Sequence, residues 1–130
     1  MHNMELTGLT TVDKHEAGAE YNVLCPVSNK PTDVFIKIKG ADSKEWRKAK
    51  KNQTADILNA KSQGKEKELD FDSMDVDALV SITIGWKGIT QDGEEYKYNK
   101  TNARKLYENS PNIVNQLIGF IAKQENFIKG

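Results

Sequence analysis

The sequence predicts an α+β fold, mostly helical, with an N-terminal antiparallel β-hairpin or small sheet packed against about four helices. Three observations predict it. Residues 34–39 alternate, with Val34, Ile36 and Ile38 set against Phe35, Lys37 and Lys39, the period-two pattern of a strand. Between residues 43 and 63, Trp46, Ala49, Gln53, Ile57 and Ala60 recur at steps of three and four, the stripe of an amphipathic helix. Ser110 followed by Pro111 is a strong helix start, and an apolar stripe runs from there almost to the last residue.

A chain of 130 residues is the size of one domain and can bury a core without disulfides or metal. The expected layout is a single domain over 1–130: N-terminal strands in 1–40, a basic amphipathic helix in 43–63, and a helical part in 72–130. Nineteen basic and 19 acidic residues give a formal net charge of zero. That argues against a dedicated nucleic-acid binder, which needs excess positive charge. It also leaves self-association unopposed by long-range repulsion. The lone Cys25 fits a reducing compartment, no secretory signal is visible in residues 1–11, and no apolar run is long enough to span a bilayer. Asn52-Gln53-Thr54 and Asn99-Lys100-Thr101 match the glycosylation sequon by chance if the chain is not secreted.

Taken in order, residues 1–19 are polar, with weak alternation at Leu6, Leu9 and Val12; a loose start with at most a short strand is expected. Residues 21–25 and 34–39 are the strands of the hairpin. Residues 26–32, with two prolines, Ser28 and Asn29, supply a turn too long for a tight two-residue hairpin. Two strands are marginal in water, so a third strand or a helix must cover the dry face. Ser43 caps the next helix, and Glu45 puts negative charge in its first turn. Ser62-Gln63-Gly64 ends it, and residues 65–68 form an exposed, mobile link.

Asp72 or Ser73 opens the next element. Val76, Leu79, Val80, Thr83 and Trp86 share a helical face, yet Val80, Ile82, Ile84 and Trp86 also alternate. β-Branched density favours strand; the cap signal and the length favour helix, and helix is the expectation through residue 86. Gly85 and Gly88 then break it and turn Trp86 inward. Residues 91–94 form a turn. Thr101 caps a short helix holding Ala103, Leu106 and Tyr107. The closing helix carries Ile113, Leu117, Phe120, Ile121 and Gln124, widened by Val114 and Ile118.

No residue set looks like an active site, and no cofactor or metal is implied. His2 and His15 lie in the polar N-terminal region without convergent partners and read as solvated. Cys25 reads as a small buried hydrophobe, since a nucleophile needs an activating base. Asp70, Asp72, Asp75 and Asp77 fail as an EF-hand, because the sixth position holds Asp75 where glycine is required and the twelfth holds Ser81 where glutamate is required. An acidic helix start explains them better. Gly85, Gly88 and Gly93 make no phosphate loop. Arg47, Lys48 and Lys51 read as a solvated basic face, with nucleic-acid recognition by the 43–61 helix as the alternative. Leu117, Phe120, Ile121, Phe127 and Ile128 are different. Few later residues remain to cover them, so they are a candidate surface for a partner or a second copy. Arg47, Lys48 and Lys51 facing Asp70, Asp72 and Asp75 are candidate charged faces for head-to-tail stacking.

Residues 77–127 carry a familiar order: Ile84-Gly85-Trp86-Lys87-Gly88-Ile89, Asp92-Gly93-Glu94, Tyr98-Asn99-Lys100-Thr101-Asn102-Ala103, Leu106-Tyr107, Ser110-Pro111 and Asn126-Phe127. This order resembles the tail assembly chaperones of long-tailed bacteriophages. The resemblance departs at residues 96–101, where the family's apolar-Pro-Phe-Ser run is replaced by Tyr96-Lys97-Tyr98-Asn99-Lys100-Thr101. It implies a non-enzymatic protein that holds the long helical tape measure protein soluble and helps recruit major tail tube subunits. It further implies a homo-oligomer that works in the host cytoplasm, is absent from the finished virion, and binds neither nucleic acid nor membrane. Many such proteins also exist in a frameshift-extended form. A structural tail-completion subunit is the neighbouring alternative.

Overall fold

The computed structural model describes residues 3–128. Two short helices open the chain, α1 (Leu6–Leu9) and α2 (Val12–Ala17). The hairpin β1 (Ala19–Leu24) and β2 (Pro31–Ile38) follows, then the long helix α3 (Lys44–Ser62). A single 3-10 turn leads into α4 (Phe71–Ile82), which passes straight into strand β3 (Thr83–Lys87). A small hairpin, β4 (Thr90–Gln91) and β5 (Glu94–Glu95), precedes α5 (Lys100–Glu108), α6 (Pro111–Ile121) and α7 (Glu125–Ile128). The α+β class expected from the sequence is the class observed.

The main sheet is antiparallel, in the order β1-β2-β3. The hairpin loop closes through Cys25 and its neighbours: the Cys25 N–H donates to Lys30 O, and the Asn29 N–H donates to Cys25 O, both at 2.8 Å. Asn29 takes φ +60°, a conformation asparagine tolerates. Inward-facing Ile36 and Ile38 are fully buried, while Lys37 between them is exposed, as the alternation requires.

α3 begins where expected. The Ser43 hydroxyl accepts the Trp46 N–H at 3.3 Å, and the fully buried Ser43 fixes where the helix starts. Its stripe of Trp46, Ala49, Gln53, Ile57 and Ala60 faces inward, most deeply at Trp46. Gly64 lies past its end at φ +69°.

Four expectations need correction. The N-terminal region is two short helices, with β1 beginning only at Ala19. α4 is capped by Asp70, whose carboxylate accepts the Ser73 N–H at 3.1 Å, so the cap is neither Asp72 nor Ser73. α5 is capped by Asn99, which accepts the Asn102 N–H at 2.7 Å, in place of Thr101. Most consequentially, the helix expected through residue 86 stops at Ile82, and residues 83–87 become a third strand that pairs with β2 and extends the sheet. The helix holds as far as Ile82, and the strand after it buries Thr83 and exposes Ile84, so the alternation expected from the sequence is not the one observed. The switch has a local cause. The Thr83 hydroxyl donates to Leu79 O at 2.7 Å, while Ile82 O accepts the Lys39 N–H at 2.9 Å, so the carbonyl ladder is redirected onto the sheet. Gly85 sits inside β3 opposite Lys37, with a bulge at that point, and Gly88 lies beyond the strand at φ +89°. A Cβ on Gly88 would collide with the Asp33 carbonyl.

The core gathers Val23, Ile36 and Ile38 from the sheet, Trp46 from α3, and Val76, Ala78, Leu79, Val80 and Ile82 from α4. α4 packs against α3, α5 and α6, which explains why its second half buries Ala78, Leu79, Val80 and Ile82 on successive sides. From the C-terminal half come Ala103, Tyr107, Val114, Leu117, Ile121 and Phe127.

Candidate interaction surfaces

The C-terminal stripe is not a free surface. Leu117 is 0%, Ile121 3% and Phe127 6% exposed, and Phe120 and Ile128 are half-buried. This corrects the expectation of a partner surface at Leu117, Ile121 and Phe127. α6 packs on β1, α4 and α5, and what covers Phe127 comes from the far end of the chain. α2 packs on α7, and the His15 ring stacks on Phe127 with centroids 5.0 Å apart. Phe127 in turn meets Phe120 edge-on at 5.3 Å, and Phe120 meets Tyr21 of β1 at 5.0 Å. The Asn126 side-chain amide donates to Phe120 O at 2.8 Å and holds α7 against the end of α6.

His15 is therefore the reverse of the solvated residue expected: it is fully buried. Its Nδ1 accepts the Asp42 N–H at 2.9 Å, so the neutral ring carries its proton on Nε2. Gly40 leaves the space the ring fills, since a Cβ there would overlap it. Nothing in the local sequence signals this; the clue lies 25 positions away, in a glycine that ends a strand. His2 lies outside the described residues.

Cys25 also departs from expectation. It stands half-exposed in the hairpin turn, where N–H groups of Ser28 and Val27 and the Ser28 hydroxyl lower the thiol below its ordinary range. No base adjoins it among the described residues.

The charged faces fall where the structure leaves them open. Arg47, Lys48 and Lys51 are exposed on α3 and form no ion pair among the described residues. On the other side, the first half of α4 and the α5–α6 corner enclose a groove of about 480 Å³. Val76, Tyr107, Pro111 and Val114 give it an apolar floor. Asp70, Asp72, Asp75 and Glu108 line its rim, and no lysine or arginine does. Asp70 is engaged in capping; Asp72, Asp75 and Glu108 have no ion-pair partner among the described residues. The sequence pointed to the three aspartates. It did not point to Glu108 or to the floor, which three separate elements bring together.

Among the described residues no group of three or more His, Cys, Asp or Glu side chains is placed to hold a metal ion. No helix among them is long and apolar enough to cross a membrane. The residues that carry the family resemblance hold the fold. Trp86 Nε1 donates to Tyr96 O at 2.7 Å, and its ring stacks on Tyr96 and meets Tyr98 edge-on. Asp92 and Gly93, at φ +54° and +81°, make the β4–β5 turn.

No curated protein and no solved structure matches the chain. The family described as YdaY prophage protein matches residues 41–130, from the start of α3 through every later element. That stretch is well over half of the chain, so this phage-derived protein belongs to the YdaY prophage protein family.

Proposed function

We propose that this prophage protein is a tail assembly chaperone, binding the tape measure protein and helping to recruit tail tube subunits during tail morphogenesis. The observation that carries the reading is a coincidence of position: every motif resembling the tail chaperones, from Ile84 to Phe127, falls within the stretch that matches a prophage family. Those motifs are a strand, a turn, two helix starts and a C-terminal lock, so the resemblance concerns how the C-terminal half is built. An acid-rimmed groove with an apolar floor supports an interaction role. In this reading the protein does no chemistry, self-associates, acts in the host cytoplasm and leaves before the virion is complete.

Co-expression with a tape measure protein of the same prophage tests the reading. The expected result is tape measure protein that stays soluble and co-purifies only when this chain is present. Tape measure protein that precipitates despite abundant soluble chain overturns it, and so does finding this chain in purified particles.

A further inference from the structure

The self-association in that reading leaves open which surfaces meet. We infer that copies join head to tail, the outer face of α3 of one copy entering the groove between α4 and the α5–α6 corner of the next. The inference rests on the self-association of that reading and on nothing else in it.

Two surfaces of the same chain carry it. At 100° per residue, Arg47, Lys51 and Leu58 fall within one narrow arc of α3, opposite the buried Trp46 stripe. Leu58 is 61% exposed, so its aliphatic side chain stands in water on the same arc as the two cations. The acids of α3, Glu45 and Asp56, project from the other flank, so this arc is basic and apolar with no negative charge. The groove is its complement: Asp72, Asp75 and Glu108, without ion-pair partners among the described residues, stand around Val76, Pro111 and Val114. Pairing exposed charges alone contributes little, so the leucine seated on the floor is what makes the contact hold, and the charges set its register. A second basic surface, Lys100 and Lys105 on α5, borders the groove, but it offers no comparable apolar residue: its only aliphatic lining residue, Val80, is buried.

The two surfaces lie on different parts of the molecule, so the contact is heterologous, and each copy can accept one neighbour while donating to another. That geometry gives a decisive test by sedimentation velocity across a concentration series. The wild-type chain is expected to grow in mass with concentration, less so at high salt. Leu58→Asp removes the donating face and keeps the groove. Asp72→Lys with Glu108→Lys removes the groove and keeps the donating face. All three positions are exposed, and circular dichroism checks that each variant is folded. Each variant alone is expected to lose at least about tenfold in association constant. Mixed in equal amounts, the two are expected to form a dimer and nothing larger, since only one productive interface remains.

A wild-type chain that stays monomeric at every concentration overturns the inference. Oligomers untouched by either variant overturn it as well, as does a mixture that stays monomeric, the result a symmetric interface gives. None of these outcomes alters tape measure solubility in co-expression, so failure of this contact and failure of the chaperone reading are separable.

Discussion

Tyr107 and Thr83 meet hydroxyl to hydroxyl at 2.7 Å in the interior, at the residue where α4 becomes β3. The Thr83 proton is already committed to Leu79 O, so Tyr107 is the donor. Tyr98 donates to the carbonyl of the same residue, also at 2.7 Å. Two tyrosines from the C-terminal half thus secure the point at which a helix turns into a strand.

Tyr107→Phe is expected to cost about 1 kcal/mol, the usual net worth of one buried hydrogen bond, read as a lower urea midpoint with unchanged slope. Burial also raises the Tyr107 hydroxyl pKa well above its ordinary value of 10.0, and raises those of Tyr98 and Tyr21 less deeply. The unfolded chain then releases these protons first. Stability is full below about pH 10 and falls as pH rises beyond it. In Tyr107→Phe the alkaline decline should be shallower, which urea titrations from pH 8 to 11 would measure.

His15 and Gly40 should behave as a coupled pair. Gly40→Ala forces a methyl group into the imidazole and is expected to destabilise by about 1–3 kcal/mol. His15→Ala leaves the Asp42 N–H without its acceptor and should cost a similar amount. Together they should cost less than the sum, because the smaller side chain makes room for the methyl. Strict additivity in a thermal or urea double-mutant cycle would refute the packing described.

Gln116 closes the outer edge of the sheet. Its amide accepts the Leu24 N–H at 2.9 Å and donates to Leu24 O at 2.9 Å, standing in for a neighbouring strand, and it also accepts the Tyr21 hydroxyl. Gln116→Ala should destabilise by about 1–3 kcal/mol. It should also speed hydrogen exchange at Leu24 far more than at Ile36 in the central strand. Uniform acceleration across the sheet would contradict this role.

Glu16 joins α2 to the start of α3: its carboxylate accepts the Lys44 N–H at 2.7 Å and the Lys39 ammonium at 3.1 Å. The Lys44 N–H first, and Lys39 second, lower its pKa below the ordinary 4.5. Its contribution is therefore present above that value and is lost as pH falls through the lower folded one. Glu16→Gln should weaken the protein at neutral pH and flatten its acid limb between roughly pH 5 and 3. An unchanged acid limb would count against the bridge.

How much of this was legible depended on whether the signal was local. The hairpin could be read because Val34, Ile36 and Ile38 face one side of a strand wherever it packs. The starts of α3 and α6 could be read because the Ser43 cap and Pro111 at the first helical turn act locally, although the Ser110 hydroxyl makes no capping hydrogen bond. The stretch 78–86 resisted, since the end of α4 buries Ala78, Leu79, Val80 and Ile82 together and so shows no clean period before the strand begins. α2 was invisible because its one buried side chain is a histidine among polar residues. The apolar stripe of α6 and α7 was seen, but not its covering, which comes from α4 and α5 and, at Phe127, from α2 at the opposite end of the sequence. The groove was half visible, as a run of aspartates, because its floor is assembled from residues more than thirty positions apart.

The stack of His15 on Phe127 has a consequence for biosynthesis. A ribosome releases the first helices long before the residue they rest on exists. Until then the imidazole has no aromatic neighbour, and Gly40 guards an empty space. The hairpin and α3 can mature as they emerge, but the final closure must wait until translation has passed residue 127.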